Sequence, residues 1–187
     1  AALIACPSDS TDVLEEAVAM ARELDEGATV EDLLQRAIDV ARSETGNVRP
    51  ALWALRVLIA RRKEEGKLQE AIGLMREASD VVERAEAREL RLEIAKVAAG
   101  PLGDLEMAAS TYWSLLEDDP GFSLIYGHAL SALLRRGSFE RGRELLHRWR
   151  ESDPKQTEQL AGELALWEGR YADAAAALGD RLDIALL

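Results

Sequence analysis

Apolar residues recur along this chain every three to four positions, in runs of roughly 10 to 20 residues separated by short polar breaks. Val13, Leu14, Ala17, Val18, Ala21 and Leu24 form one such stripe, on a helix that Ser10 or Thr11 caps and that runs to about Glu26. Gly27 is expected to end it. Thr29, with Asp32 three residues on, resembles a capping box and opens a second helix, which buries Val30, Leu33, Leu34, Ala37, Ile38 and Ala41 and stops near Gly46. Pro50 suits the first turn of a third helix, where its missing N–H has no partner in any case. Leu52, Leu55, Leu58 and Ile59 line that helix and Gly66 breaks it.

The stretch from Lys67 to Ala99 has no obvious break. A single helix of that length without a partner pattern is unusual, so two helices are expected, joined by a tight turn near Glu83 to Glu86. The first carries Ala71, Ile72, Met75, Ala78 and Val82, the second Leu90, Leu92, Ile94 and Val97. Gly100, Pro101 and Gly103 then punctuate the chain. Helices are expected over Leu105 to Leu116, Phe122 to Leu134, Phe139 to Arg150, Thr157 to Trp167 and Tyr171 to Leu178, and Arg181 to Leu187 begins one more. Asp118-Asp119-Pro120-Gly121 and Asp153-Pro154 read as closing signals. The total is about ten helices with no strand pattern.

The breaks repeat. Gly66-Lys67-Leu68, Gly103-Asp104-Leu105, Gly137-Ser138-Phe139 and Gly169-Arg170-Tyr171 each join two helices, and their glycines lie 37, 34 and 32 residues apart. A leucine or aromatic stands two positions after each glycine, and a small residue (Ala71, Ala108, Gly142, Ala174) stands five after it. Glycine permits the positive backbone angle that closes the first helix. The large residue is expected to wedge into the seam between the paired helices, and the small one lets their backbones approach. A period near 34 with one helix pair per period is the pattern of a solenoid.

In these features the chain resembles the tetratricopeptide repeat family. The third repeat fits through Tyr126, Ala129, Leu130, Leu133, Gly137, Phe139, Gly142, Leu146, Trp149 and Pro154, and the second through Leu92, Ala95, Lys96, Ala99, Gly103, Leu105, Ala108, Tyr112, Leu115 and Pro120. The fourth fits through Ala161, Gly162, Ala165, Gly169, Tyr171, Ala174 and Leu178, and the first through Leu55, Leu58, Ile59, Gly66, Leu68, Ala71, Met75 and Ala78. The resemblance implies an all-α, right-handed alpha-alpha superhelix. The expected organisation is a single array over residues 1–187, with irregular helical pairs over 1–50 and the best repeats at 52–85, 89–121, 123–154 and 155–180. Ala2 and Pro7 match the end of a preceding repeat, so both termini read as cut from a longer chain. Arg62 and Lys96 depart from the pattern, because each is charged at a core-facing position.

Composition narrows what such an array does. Hydrophobic residues make up 48% of the 187, enough to build a core. The net charge of -12 disfavours nucleic acid and anionic lipid and suits a basic or zwitterionic protein partner better. No apolar run is long enough to cross a membrane. Cys6 is the only cysteine, which leaves no internal disulfide and no thiolate zinc site. Leu3-Ile4-Ala5-Cys6 spells a lipoprotein cleavage site with too little chain before it for a signal core; the rival reading is a helix end. A cytoplasmic location is expected, with a periplasmic or membrane-anchored parent protein as the alternative.

The resemblance places the first helix of each pair on a concave face. There it offers Trp53, Arg56, Lys63, Glu93, Arg135, Gln159, Glu163 and Trp167 as partner-binding candidates, together with Leu124, Ser131 and Leu134. Trp53 and Trp167 are the expected aromatic anchors, whereas Trp113 and Trp149 read as core or repeat-interface residues. The lysine, arginine and asparagine clamp by which known members of the family hold a terminal carboxylate is not evident, since Asn47 is the only asparagine. His128 and His147 stand 19 residues apart on adjacent helices, within reach of each other but in no catalytic motif. Neither catalytic residues, a metal nor a cofactor is expected. Two functions remain: a scaffold that binds a protein or peptide in its groove, or a structural, self-assembling segment of a larger protein. A patch at Leu182, Ile184, Leu186 and Leu187 favours the second if exposed.

Overall fold

The computed structural model describes residues 10–24, 27–150 and 153–178. Cys6, the patch from Leu182 to Leu187 and the expected helix over Arg181 to Leu187 lie outside them. Among the described residues every regular element is helical: α1 (Thr11–Glu23), α2 (Gly27–Thr45), α3 (Leu52–Glu64), α4 (Leu68–Ser79), α5 (Arg84–Ala99), α6 (Leu105–Asp118), α7 (Tyr126–Arg136), α8 (Phe139–Arg150), α9 (Pro154–Trp167) and α10 (Tyr171–Leu178). Short 3-10 turns at Arg49–Ala51 and Ser123–Ile125 lead into α3 and α7. The chain forms two compact units, Ala1–Ile94 and Ala95–Leu187. Among the described residues no helix is long and apolar enough to cross a membrane.

In the first unit α1 packs on α2, α2 on α3 and α3 on α4. Leu14, Val18, Leu34, Ala37, Ile38, Ala54, Leu55, Ile72 and Met75 make its core, all at the expected stripe positions or beside them. In the second unit α6 packs on α7, α7 on α8, α8 on α9 and α9 on α10. Its core is richer in aromatics: Tyr112 is buried, and Tyr126 stacks on Trp149 with ring centroids 4.4 Å apart. The Trp149 indole N–H has no acceptor there, so this ring is held by packing alone.

The glycine junctions share one device. Gly66, Gly137 and Gly169 all have positive φ, and the residue after each donates its N–H to the carbonyl five positions back: Lys67 to Arg62 at 2.8 Å, Ser138 to Leu133 at 2.9 Å and Arg170 to Ala165 at 2.8 Å. This pairing satisfies carbonyls that the helix end leaves free, and only glycine enters that backbone region without strain. The next residue starts the following helix. Gly103 also has positive φ but sits in a longer loop, from which Asp104 caps α6 by accepting from Met107 N at 2.9 Å. The small residues at Ala71, Ala108, Gly142 and Ala174 are buried as expected.

Several local expectations are corrected. Gly27 does not end the first helix but opens α2, ahead of Thr29. Leu24 lies beyond the end of α1 and is exposed, because the helix stops at Glu23 and carries the stripe no further. The break between α4 and α5 falls at residues 80–83, before the expected turn. Asp153 and Pro154 open a helix instead of closing one: the Asp153 carboxylate accepts from Gln156 N at 3.1 Å, and Pro154 takes the first turn. Leu68, Leu105 and Phe139 are half-buried in their seams, but Tyr171 is exposed.

Candidate functional site

The two units treat their groove candidates differently. In the first, Arg56 on α3 pairs with Glu86 on α5, and Lys63, two turns along α3, pairs with Glu93, two turns along α5. The matched spacing makes two rungs between consecutive first helices. Three of the candidates, Arg56, Lys63 and Glu93, are thereby committed to each other's neighbourhood, and Trp53 is half-buried. A bidentate pair braces the second helices in the same way, with Arg42 on α2 donating to Glu77 on α4 at 2.7 and 2.8 Å.

Arg62 owes its tolerance at a core-facing position to a similar network. Its side chain is 13% exposed and meets Glu31, Glu65 at 3.0 Å and Glu70 at 2.8 Å, so its charge is compensated where an apolar residue was expected. Glu65 in turn is held down to about 2, by hydrogen bonds from Arg61 and then Lys67. Lys96, the other departure, is exposed and so does not enter the core.

In the second unit the candidates remain more open. Arg135 on α7 is exposed and donates from Nη1 to the carbonyl of Ala99 at 3.1 Å, closing the end of α5. Beside it lies an open cavity of about 260 Å³ between the end of α5, α6 and α7. Glu163 on α9 is half-buried; burial pushes its carboxyl above the usual range, against a hydrogen bond from Gln159. Trp167, at the end of α9, is 54% exposed. Leu124 is 80% exposed, whereas Leu134 is buried. It packs towards α8, with its Cδ2 3.8 Å from where a Cβ on Gly142 would stand.

Two features escaped the sequence reading. The first is the cover over Trp113, which is half-buried at the repeat interface, one of its two expected places. Its ring is covered by Arg148 at 4.9 Å and Arg141 at 5.9 Å, and its N–H donates to Glu117 at 2.9 Å. The available signal was two arginines seven residues apart on α8, matched to a tryptophan on α6, two helices earlier. The second is the separation of the histidines. His128 stacks on Tyr112 at 6.2 Å and lines the cavity beside Arg135, while His147 lines other cavities with Arg150 and with Arg148. The two imidazoles therefore do not form one acid–base site. Among the described residues no group of three His, Cys, Asp or Glu side chains is placed to hold a metal.

No family model and no curated protein sequence matches the chain. Solved structures do. A tetratricopeptide repeat protein from Parabacteroides merdae superposes with a TM-score of 0.57 at 18% identity over 91% of this chain, which spans 65% of that one. YrrB, described as a tetratricopeptide repeat protein with an unusual peptide-binding site, gives 0.57 at 13% identity, covering 94% of this chain and 87% of its own. A MamA RS-1 double mutant gives 0.53 at 15% identity over 92% and 93% of the two chains. With its helix pairs, its glycine junctions and these likenesses, the chain has an all-α, tetratricopeptide-like solenoid fold.

Proposed function

We propose that the chain is a protein-interaction scaffold that holds a peptide segment along the first helices of residues 95–187 and performs no chemistry of its own. The observation that carries this reading is Trp167, a large aromatic side chain left 54% exposed on a first helix. An indole that gives up so much water on being covered is a favourable anchor, and aromatic residues dominate the energetics of such surfaces. Leu124, in the turn that leads into α7, and Arg135 and Gln159, on first helices, supply further apolar and polar contacts. The peptide-binding site named for YrrB supports the class of ligand. The net charge of -12 favours a protein partner over nucleic acid. Arg56, Lys63 and Glu93 act in this reading as braces and not as ligand contacts, because their charges are spent within the protein.

The test is selection of peptides from a random display library on the full chain, repeated on Trp167→Ala. Peptides that bind the parent and lose at least tenfold in affinity on the variant support the reading. Peptides indifferent to Trp167 and to Arg135→Gln remove this face as the site. Sedimentation of both proteins separates the rival function: a dimer that dissociates on Trp167→Ala assigns the surface to self-assembly instead.

A further inference from the structure

We propose that the α9 wall of the groove recognises a basic side chain of the bound segment, an arginine or lysine whose charge meets Glu163 and whose stem lies along Trp167. The proposal rests on the groove reading above and gives the ligand a chemistry. Gln159, Glu163 and Trp167 follow one another at four-residue intervals on α9, so they rise one turn at a time along one side of the helix. Glu163 is the only charged residue from Gln159 to Trp167. Half-buried carboxylates in this protein have partners of two kinds. Glu31, Glu77, Glu86, Glu93 and Glu168 each meet an arginine or lysine. Asp104, Asp119 and Asp153 accept backbone N–H groups. Glu163 has neither among the described residues, and accepts only from the neutral Gln159 amide.

A carboxylate held partly out of water without a cation destabilises the free protein, and a cation supplied by a ligand relieves it. Trp167 provides the other half of the site. It stands one turn beyond Glu163 and is 54% exposed, so a basic side chain can cover its ring with methylenes while the cation is drawn to the indole face and to the carboxylate. The facing wall leaves room for such a side chain. Gly137 and Gly169 follow α7 and α9 and lie 32 residues apart, so Gly127 and Ser131 hold on α7 the positions that Gln159 and Glu163 hold on α9. The two helices pack on each other. A Cβ added to Gly127 would meet nothing within 4 Å, and Ser131 is exposed, so neither position sends a long side chain across the space. The neighbouring arginines are bonded elsewhere: Arg135, at the position that matches Trp167, donates to the Ala99 carbonyl, and Arg170 meets Glu168 and Asp173. In this site the protein supplies the anion and the partner the cation, the direction that a net charge of -12 favours.

The four tryptophan indole N–H resonances provide the assay, with that of Trp167 identified by its loss in Trp167→Phe. The probe is acetyl-Ala-Leu-Arg-Leu-Ala-amide, a short segment with a single charge, titrated into the full chain at about 0.15 M salt, where distant charges are screened. Lysine, citrulline and glutamate replace the arginine in companion peptides. The expected result is a saturable shift of the Trp167 indole with the arginine and lysine peptides, and at least tenfold weaker binding of the citrulline and glutamate peptides. Glu163→Gln should weaken the arginine peptide at least tenfold and leave the citrulline peptide unchanged, so that the loss belongs to the pair of charges. Glu158→Gln removes the same charge from the side of α9 that faces α8, and should change neither. Urea unfolding of Glu163→Gln should show a protein at least as stable as the parent; a substitution that keeps stability and loses the arginine peptide separates recognition from a structural role. Equal binding of the arginine and citrulline peptides at Trp167 overturns the proposal and leaves the groove reading standing. No saturable shift of Trp167, an arginine peptide indifferent to Glu163→Gln, or one weakened equally by Glu158→Gln also overturns it, and the library selection on Trp167→Ala then decides the groove by itself.

Discussion

Gly162 sits in the middle of α9, where alanine should be the better residue by about 1 kcal/mol of helix propensity. The packing reverses that preference. A Cβ at this position would stand 2.7 Å from Leu178 Cγ, 3.0 Å from Leu178 Cδ2 and 3.0 Å from Ala177 Cβ, all on α10. Ala177 Cβ is fixed to the backbone, and Leu178 Cγ moves only if the whole buried side chain leaves its χ1 rotamer, so neither contact is relieved cheaply. To restore ordinary separations of about 3.4 Å, α10 itself must move by roughly 0.7 Å. Overpacking of this kind costs about 1–3 kcal/mol. The values at the upper end apply when backbone must shift, and after the propensity gain Gly162→Ala should lose about 1–2 kcal/mol.

Two other helical glycines make the argument a series. Gly73 in α4 has nothing within 4 Å of the added carbon, so Gly73→Ala should gain about 0.5–1 kcal/mol. At Gly142 the nearest atoms are the terminal methyls Leu130 Cδ1 at 3.3 Å and Leu164 Cδ1 at 3.6 Å, which can yield. Gly142→Ala should therefore fall between the other two, near zero. Urea unfolding followed by far-UV circular dichroism gives the order, and amide exchange along α10 shows whether the loss at Gly162 is local. Leu178→Ala should absorb part of the damage, making the double variant less destabilised than the sum of the singles. If Gly162→Ala raises the unfolding midpoint as Gly73→Ala does, close approach of α9 and α10 is not why this position lacks a side chain.

Other outcomes follow from the junctions and the carboxylates. Gly137→Ala places a Cβ on a residue at φ 80° and should cost about 1 kcal/mol despite the open space around it; a neutral effect in urea unfolding would contradict the backbone argument. Glu65 is held at about 2 against an ordinary 4.5, so its ionised form favours the folded state. That contribution is complete above pH 4.5 and is lost as pH falls towards 2, and Glu65→Gln should remove this part of the acid dependence of the first unit. Glu163 has the opposite sign: its raised carboxyl makes the folded state favour the proton, and stability is lost as pH rises through its folded value. Glu163→Gln should accordingly be more stable than the parent at neutral pH, with the advantage fading in acid; a variant less stable at neutral pH would mean that the ionised carboxylate has a partner worth keeping.

The parts of this fold that sequence exposes are those whose physics is local. Gly66, Gly103, Gly137 and Gly169 had to adopt positive φ because no other residue makes that junction cheaply, and all four do. Amphipathic stripes such as Leu33, Leu34, Ala37 and Ile38 are buried because no neighbour competes for them. Helix starts were less legible. Asp-Pro serves equally as a stop and as a cap with proline in the first turn, and at Asp153 the capping bond decides. Side chains whose fate depends on another helix were not legible at all. Nothing near Leu134 in sequence says that it packs towards α8, and although Glu65 stands three residues from Arg62, nothing there says that Glu31 on α2 reaches it as well.

The same dependence separates the groove candidates. Arg56 and Arg135 look alike in sequence, each a basic residue on the exposed side of a first helix. Glu86 stands thirty residues after Arg56 and reaches it, as Glu93 reaches Lys63. Arg135 has no carboxylate partner among the described residues; its Nη1 donates to the Ala99 carbonyl at 3.1 Å. Where consecutive first helices carry opposite charges at matched positions, the groove wall is braced and its polar groups are satisfied. Position along a first helix therefore does not decide whether a basic residue braces the wall; the carboxylate on the next first helix does, present for Arg56 and Lys63 and absent for Arg135 among the described residues.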